Sequence, residues 1–464
     1  MKKFILTLIT ALALSIGAVA QTWPPTDMNG NGSEANPYQI ETHQHLKALS
    51  DYVSAANGIA TTGVHYKLMN NIDLSSYANW TPIGDFNAMN RSFYGIFDGN
   101  GKTVSNLRSS NTVANGMSGL FGIILSGAVI KNLAVVNVQV ESDFSAGGLL
   151  TDNRGTIQNC FTSGTVRSEG SFSAAGGISA TLNGGTIENC YSTCDVEGPL
   201  YVGGITGLLG TGGTIKYCYA TGNVKGNECV GGIVGGVMGG TLINCVAANN
   251  SVVALDATTW IGRVIGYTLG TNTISHNYAL NTMMYQANGS PVTPVNDLNG
   301  KDGQSRDVIE LKNSIFYSIL SNWNGDAWDI ANPNGIWKIC NNENMLPFLR
   351  WQGILCDGEV GIETITNYEL RITVFPNPTS GQLRITSYEL QIEDIQIYDV
   401  MGKKILTSHV SQQSPETKFP SNSLERWQPQ ADGVVLNISH LPNGIYFLQI
   451  KTAQGLVNKK VIKN

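Results

Sequence analysis

A repeat of 27 to 30 residues constrains this chain more than any other feature. GGLLTDNRGTIQNC begins at Gly147, GGISATLNGGTIENC at Gly176, GGITGLLGTGGTIKYC at Gly203 and GGIVGGVMGGTLINC at Gly231. Each copy ends on a cysteine: Cys160, Cys190, Cys218 and Cys245. Looser copies flank them, from Phe93 and Ser118 upstream and from Trp260 downstream. No copy has a helical period; each holds short runs of β-formers broken by Gly and Asn. One such unit cannot bury its apolar residues alone, but stacked units can. The expected fold is therefore all-β, a parallel β-solenoid of about six or seven coils rising about 4.8 Å each.

The motif also assigns side-chain directions. Cys190, Ser192, Cys194 and Val196 alternate along one strand, so they share a face. Their counterparts Cys218, Ala220, Gly222 and Val224 are small or apolar, so that face points inward. Tyr191, Thr193 and Asp195 then point outward. Ile187 must also be inside, yet it stands an odd three residues before Cys190. The chain must bend between them, at Asn189, because Asn tolerates left-handed backbone. Asn132, Asn159, Asn189, Asn244 and Asn277 are expected to stack at that corner, with Tyr217 interrupting them.

The cysteine row is read as packing. Zinc needs ligands converging on one point, whereas a ladder points its thiols the same way. Parallel Cβ vectors also suit inter-coil disulfides poorly. Buried free Cys behaves as a small hydrophobe, so Cys160, Cys190, Cys218 and Cys245 are assigned to the repeat core. Cys194 and Cys229 stand outside the row, and a bond between them is open. Cys340 and Cys356 flank LPFLRWQ after the last coil and are the candidate disulfide.

Both ends differ from the repeats. MKKFILTLITALALSIGAVAQ has a basic start, an apolar stretch and an Ala18-Val19-Ala20 cleavage site, the pattern of a secretory signal peptide over residues 1–20. No later run is long and apolar enough to cross a bilayer as a helix, so no transmembrane segment is expected in the mature form. Residues 21–92 read as a lead-in with a short helix at ETHQHLKALSDYV, capped by Thr42. The repeats occupy 93–290 and a closing region 291–356. A polar linker, 357–370, precedes a new pattern from 371 to 464. There, segments alternating apolar and polar residues between Pro, Gly and Asn predict a small antiparallel Ig-like β-sandwich of about seven strands.

The repeats, with NPYQIETHQHLKAL, YKLMNNIDLS, WTPIG and FYGIFDGNGKTVSNL ahead of them, resemble GLUG-motif proteins of bacterial surfaces and secretions. That resemblance implies export without a defined reaction. The C-terminal segment resembles the type A sorting domain of the type IX secretion system of Bacteroidetes-type bacteria. The resemblance rests on Pro376, Asn377, Pro378 and Gly381, then Tyr398, Asp399 and Gly402, then Gly444 and Tyr446, then Lys459 and Lys460. It implies passage through the periplasm to the outer surface or medium. The implied partners are the type IX machinery, the protease that processes its sorting domains, and surface lipopolysaccharide, a glycan or a host protein.

Chemistry is sparse. With a net charge of −6 and 13% charged residues, the chain shows no basic stripe, and nucleic acid is not expected as a partner. Asp27, Asn29, Asn31 and Gly32 imitate the first half of a calcium loop, but Tyr38 stands where the bidentate Glu belongs. His43 and His45 sit two apart on a helix and so face different ways. No catalytic grouping, metal site or cofactor is assigned. The leading reading is an exported solenoid for adhesion or ligand binding without catalysis. The alternative is a carbohydrate-active β-helix enzyme, a polysaccharide lyase or hydrolase. Outward Phe161, Tyr191 and Tyr219 are the candidate binding residues, as an exposed aromatic stripe.

Overall fold

In a computed structural model of the chain, the structure describes residues 23–85, 88–111, 116–256, 260–340, 345–356, 372–387, 392–399, 404–409, 433–452 and 455–464. The signal-peptide reading falls outside them. The chain divides into two compact units, Met1–Gln352 and Gly353–Asn464.

The first unit is a parallel β-solenoid of about 9 turns. Its longest ladder begins well before the glycine-rich repeats. Tyr38–Ile40 pairs with His65–Leu68, and that strand with Ile96–Ser105. Val129–Ser142 follows, and then one short strand per repeat: Thr156–Gln158, Thr186–Glu188, Thr214–Lys216, Thr241–Ile243 and Thr273–Ser275. The expected six or seven coils were too few because the lead-in coils as well. It lacks the Gly-Gly signature but keeps the register, since Tyr66 pairs with Phe97 and Phe97 with Ile130.

The core is a set of side-chain ladders. Phe97, Ile130, Ile157, Ile187, Ile215 and Leu242 stack coil on coil at 0% exposure. Val140, Val166, Val196, Val224 and Val252 form a second row. Ala146, Ala175, Val202, Val230 and Ile261 form a third on another sheet. Burying each large aliphatic side chain contributes about 1.5–3 kcal/mol. The repetition makes stability approximately a sum over neighbouring coils.

The corner before each cysteine is left-handed. Asn132, Asn159, Asn189, Tyr217 and Asn244 have φ of 53, 54, 52, 52 and 58°. In the next coil His276 takes this position (φ 53°), not Asn277. Asn277 instead falls in the cysteine row, fully buried. It accepts from the Cys245 N–H at 3.0 Å and donates to the Leu242 carbonyl at 3.0 Å. The corner therefore lies one residue earlier than Asn277 suggests, because SHNYAL offers His and Asn side by side.

Both solenoid ends are covered. Helix α1 (His43–Tyr52), with the Thr42 hydroxyl accepting from the His45 N–H, buries Leu46, Ala48 and Leu49 at the N-terminal end. At the other end Arg263 is 2% exposed. It donates to Ser305 Oγ, the Gly303 carbonyl and Asn296 Oδ1. Asp302 accepts from the Arg263 N–H and the Tyr285 hydroxyl. Residues 307–352 then fold back along one wall as two short helices, α2 (Val308–Leu311) and α3 (Ser314–Ser318), and a Trp-rich segment.

The second unit holds two small antiparallel sheets. Ile372–Phe375, Gln382–Ser387 and Gly433–Asn437 form one; Lys404–His409, Ile392–Tyr398, Gly444–Thr452 and Gly455–Lys463 form the other. Leu383, Ile385, Ile395, Ile397, Leu448, Ile450 and Val461 share the core between them.

Candidate functional site

The strand after the left-handed corner carries the candidate residues of both kinds. Inward lie Cys160, Cys190, Cys218 and Cys245, all at most 1% exposed. Each thiol donates to the carbonyl two residues back: Gln158, Glu188, Lys216 and Ile243, at 3.1–3.2 Å. The Cys160 N–H in turn reaches Cys190 Sγ at 3.4 Å. The Glu188 and Lys216 carbonyls also accept the Asn159 and Asn189 N–H of the preceding coil at 3.2 Å, so the thiol there adds a second, weak donor from a short side chain. Burial pushes the Cys190 and Cys245 thiols well up, and Cys194 up to about 11. Burial also raises the Cys218 thiol, but hydrogen bonds to Cys190 and Cys245 outweigh it and bring it down to about 5. A reactive thiol needs access as well as a lowered value, and Cys218 is 0% exposed. Cys194 and Cys229 are free and buried, so no bond joins them. Cys340 and Cys356 are both disulfide-bonded.

Outward, the expected aromatic row forms but is not a surface. Phe161, Tyr191 and Tyr219 stack with centroids 4.8 Å apart and planes within 2°. Tyr191 and Tyr219 are only 6% and 5% exposed, because the closing region packs over them. Trp351 lies against Phe161, and Trp337 against both tyrosines. The Tyr219 hydroxyl donates to the Pro347 carbonyl at 2.6 Å, and Tyr191 exchanges hydrogen bonds with the Gln352 amide. The corner residues are held too: Trp337 Nε1 donates to Asn189 Oδ1, Asn324 N–H to Asn244 Oδ1, and the Tyr217 hydroxyl to the Asp326 carbonyl. The reading of these three rings as an exposed stripe is therefore corrected. Alternation identified the outside of the coil, and a later segment covers that outside.

A few residues further along the same coils, the outside stays open. Glu141, Arg167, Glu197, Lys225, Val253 and Gln286 are consecutive register partners. Charge alternates along the first four, which avoids like charges facing each other across neighbouring strands. Lys225 Nζ lies 2.9 Å from Glu197 Oε1. Beside this row Asp195 Oδ1 accepts from the N–H and side chain of Asn223, and Ser251 Oγ donates to Asn223 Oδ1. A shallow groove of about 330 Å³ runs over Glu141, Arg167, Asp195, Glu197, Asn223 and Lys225. Alternation along the strand marks Asp195 as outward but does not reveal the row, because its members differ in type from coil to coil. The signal that finds it is position: each stands one residue after an inward residue of the second core row, Val140, Val166, Val196, Val224, Val252 and Tyr285.

The other sequence candidates have local partners. Asp27 pairs with His45 Nε2 at 3.2 Å, and the hydrogen bond from His45 holds its carboxyl below the usual range. His43 Nδ1 meets the Tyr77 hydroxyl. Asn31 Oδ1 accepts from the Ser33 N–H. These side chains do not converge on a common cation.

In the second unit, elements distant in sequence meet. Asn377 Oδ1 accepts from the Ile462 N–H, and Thr379 exchanges backbone bonds with Ile462 and Asn464. The Pro376-Asn377-Pro378 turn is thus stitched to the strand carrying Lys459 and Lys460. Gly381 has φ 143°, and a Cβ there would stand 2.7 Å from Ser439 Cα. Tyr446 is buried, with its hydroxyl on the Pro442 carbonyl. The Tyr398 hydroxyl donates to Gln396 Oε1, Asp399 follows its strand, and Gly444 opens the next. Gly402 lies outside the described residues.

Comparison with known proteins agrees with both parts. Residues 373–427 and 427–464 match the secretion system C-terminal sorting domain, and residues 198–225 the GLUG motif. Residues 373–464 are thus a type IX sorting domain, and the chain is exported to the cell surface or the medium. Among the described residues no helix is long and apolar enough to cross a membrane. A stretch of 143 residues is 35% identical to Halomucin of Haloquadratum walsbyi, covering 30% of this chain and 2% of that protein. A stretch of 138 residues is 36% identical to a candidate Gly-rich membrane protein of Evansella cellulosilytica, covering 28% and 15%. The chain thus spans a small part of these curated relatives. A crystal structure of a candidate immunoglobulin A1 protease from Bacteroides ovatus superposes with a TM-score of 0.55 at 24% identity, over 69% of this chain and 94% of that one. This likeness is one of fold.

Proposed function

We propose that the exported solenoid is a binding rod, serving adhesion or ligand capture without catalysis. The observation that carries this reading is the open charged face. It presents hydrogen-bonding side chains in register at one-coil spacing, on a rigid scaffold, beside a wall that the chain seals with its own closing region. The type IX machinery is the partner its sorting domain implies. Surface lipopolysaccharide, a glycan or a host protein are the candidate ligands. Saturable binding of the full-length protein to a glycan or glycoprotein panel, with no new product by mass spectrometry, is the expected result. Turnover of any panel member overturns the reading.

One observation favours the second reading, a carbohydrate-active enzyme. Asp195, Glu197 and Glu141 share a groove with Arg167 and Lys225, and paired carboxylates are the usual machinery of glycoside cleavage. Against it, Glu197 is engaged by Lys225 and Asp195 by Asn223. A general acid is ordinarily kept neutral by apolar surroundings. Loss of any observed turnover in Asp195→Asn or Glu197→Gln would assign it to this groove.

A further inference from the structure

A second open face lies on the sheets that carry the Gly-Gly segments, and its character changes along the rod. One outward row runs Asp152, Thr181, Leu208, Gly236 and Tyr267 as register partners. Its early end is polar. Asp152 accepts from Arg154, Thr181 and Asn183 at 2.9–3.2 Å. Its late end is aromatic. Trp260 is 43% exposed and meets Tyr267 edge-on at 5.8 Å, with Leu269 56% exposed beyond them. The half-exposed Tyr201 ring lies over the bare backbone of Gly236, where a Cβ would stand 2.8 Å from Cδ1, and Leu208 borders the same spot. Burial pushes the Tyr201 phenol up, and Cys229, Tyr267 and Glu228 are close enough to add to it. Next to this group Cys229 has a left-handed backbone, φ 52°, a conformation that costs energy in a non-glycine residue.

Trp260 and Tyr267 share one coil, and Tyr201 stands two coils earlier with its ring seated over Gly236 of the coil between, so ring faces and edges line this end of the face. We propose that Tyr201, Trp260 and Tyr267 are a stacking platform for a neutral oligosaccharide, whose chain continues along the row past Leu208 toward half-buried Thr181 and exposed Asn183. Ring faces bind the apolar C–H faces of pyranoses, and the hydroxyls need hydrogen-bonding side chains nearby. This face supplies both, in line. Glu228 places an acidic group at the aromatic end, Asp152 at the other end is buried and paired with Arg154, and the chain carries a net charge of −6. A polyanion such as an acidic glycan or nucleic acid is disfavoured there. The inference rests on the binding-rod reading and names a different surface from the charged groove.

The test titrates full-length protein with soluble neutral polysaccharides (a glucan, a mannan, a xylan), acidic glycans and a glycoprotein. Wild type should bind at least one neutral glycan. The Trp260→Ala, Tyr267→Ala double variant should bind it at least about tenfold more weakly, with an unchanged thermal midpoint. If the double variant does not fold, either single variant of these exposed rings should show a smaller loss. Glu197→Gln on the other face should bind as wild type. Equal binding by the ring variants overturns the platform. Wild-type binding only to acidic glycans or to protein overturns it and leaves the binding-rod reading standing. Binding to nothing overturns both.

Discussion

Tyr191 and Asp195 stand four residues apart on the same coil, both pointing away from the core, yet only one of them meets solvent. The Tyr191 row is roofed by residues 307–352 and belongs to a continuous aromatic cluster with Trp337, Trp328 and Tyr317. The Asp195 row carries only its own side-chain ladder and a shallow groove. The period of a repeat reports which side of the coil a residue occupies. It does not report what a later, non-repeating segment lays over that side. The difference also divides the energetics: the roofed row behaves as core, and the open row as surface.

The roof gives the largest expected effect. Trp337 is fully buried, packs on Tyr191 and Tyr219, and donates to Asn189 at the corner. Trp337→Ala should destabilise the solenoid unit by about 3–5 kcal/mol in chemical denaturation. It should also open the wall. Burial pushes the Tyr219 phenol well above its usual value. Its folded-state value is the higher one, so its contribution to stability is present below about pH 10 and is lost as pH climbs toward the raised value. In Trp337→Ala, an absorbance titration should show Tyr191 and Tyr219 ionising near their normal range. Silent tyrosines in that variant would mean the wall is sealed by something other than this roof.

The inward partner of the same strand gives the next effect. Cys190→Ala removes the donor to the Glu188 carbonyl and the acceptor for the Cys160 N–H, and should cost about 1–3 kcal/mol. Cys190→Ser keeps a donor at the same carbonyl and should cost less than Cys190→Ala. A serine as costly as alanine would show that volume, not the hydrogen bond, selects cysteine here.

Tyr219→Phe sharpens the roof itself. It keeps the stacked ring and removes only the hydroxyl bound to Pro347. Leaving the buried Pro347 carbonyl without this donor should cost about 1–3 kcal/mol, measured against Trp337→Ala in the same buffer.

Much of this architecture was legible in the sequence. The odd spacing from Ile187 to Cys190 located the corner, and the alternation after it located the inward row. Tyr38 and Tyr66 were not legible as ladder residues, because a coil without Gly-Gly keeps its place through register and burial alone. Asn277 was misplaced because the corner tolerates His276 equally well in left-handed backbone. The roof was invisible for a different reason. WDIANPNGIWKIC has no period, so nothing local says which wall its tryptophans will cover. The charged row and the Trp260–Tyr267 pair escaped notice because their residue types change from coil to coil, and only the register brings them into line.

The smallest effect is expected on the open row, and it is the sharpest test of the contrast. Lys225 and Glu197 are 49% and 44% exposed at the side chain, so solvent and salt screen the pair strongly. Lys225→Ala should shift stability by no more than about 0.2–1 kcal/mol, with the lower end favoured at physiological salt. The register gives a reason for even that much: without Lys225, Glu197 loses one of the two positive neighbours, Arg167 and Lys225, that flank it in the row. Charge reversal is more informative than deletion. Lys225→Glu would place two carboxylates directly opposite on neighbouring strands, a destabilising pairing, and the penalty should shrink as salt is raised from low to high ionic strength. A salt-independent loss of several kcal/mol would show that this row is buried in the native protein, as the tyrosine row is, and the distinction between the two outward rows would fail.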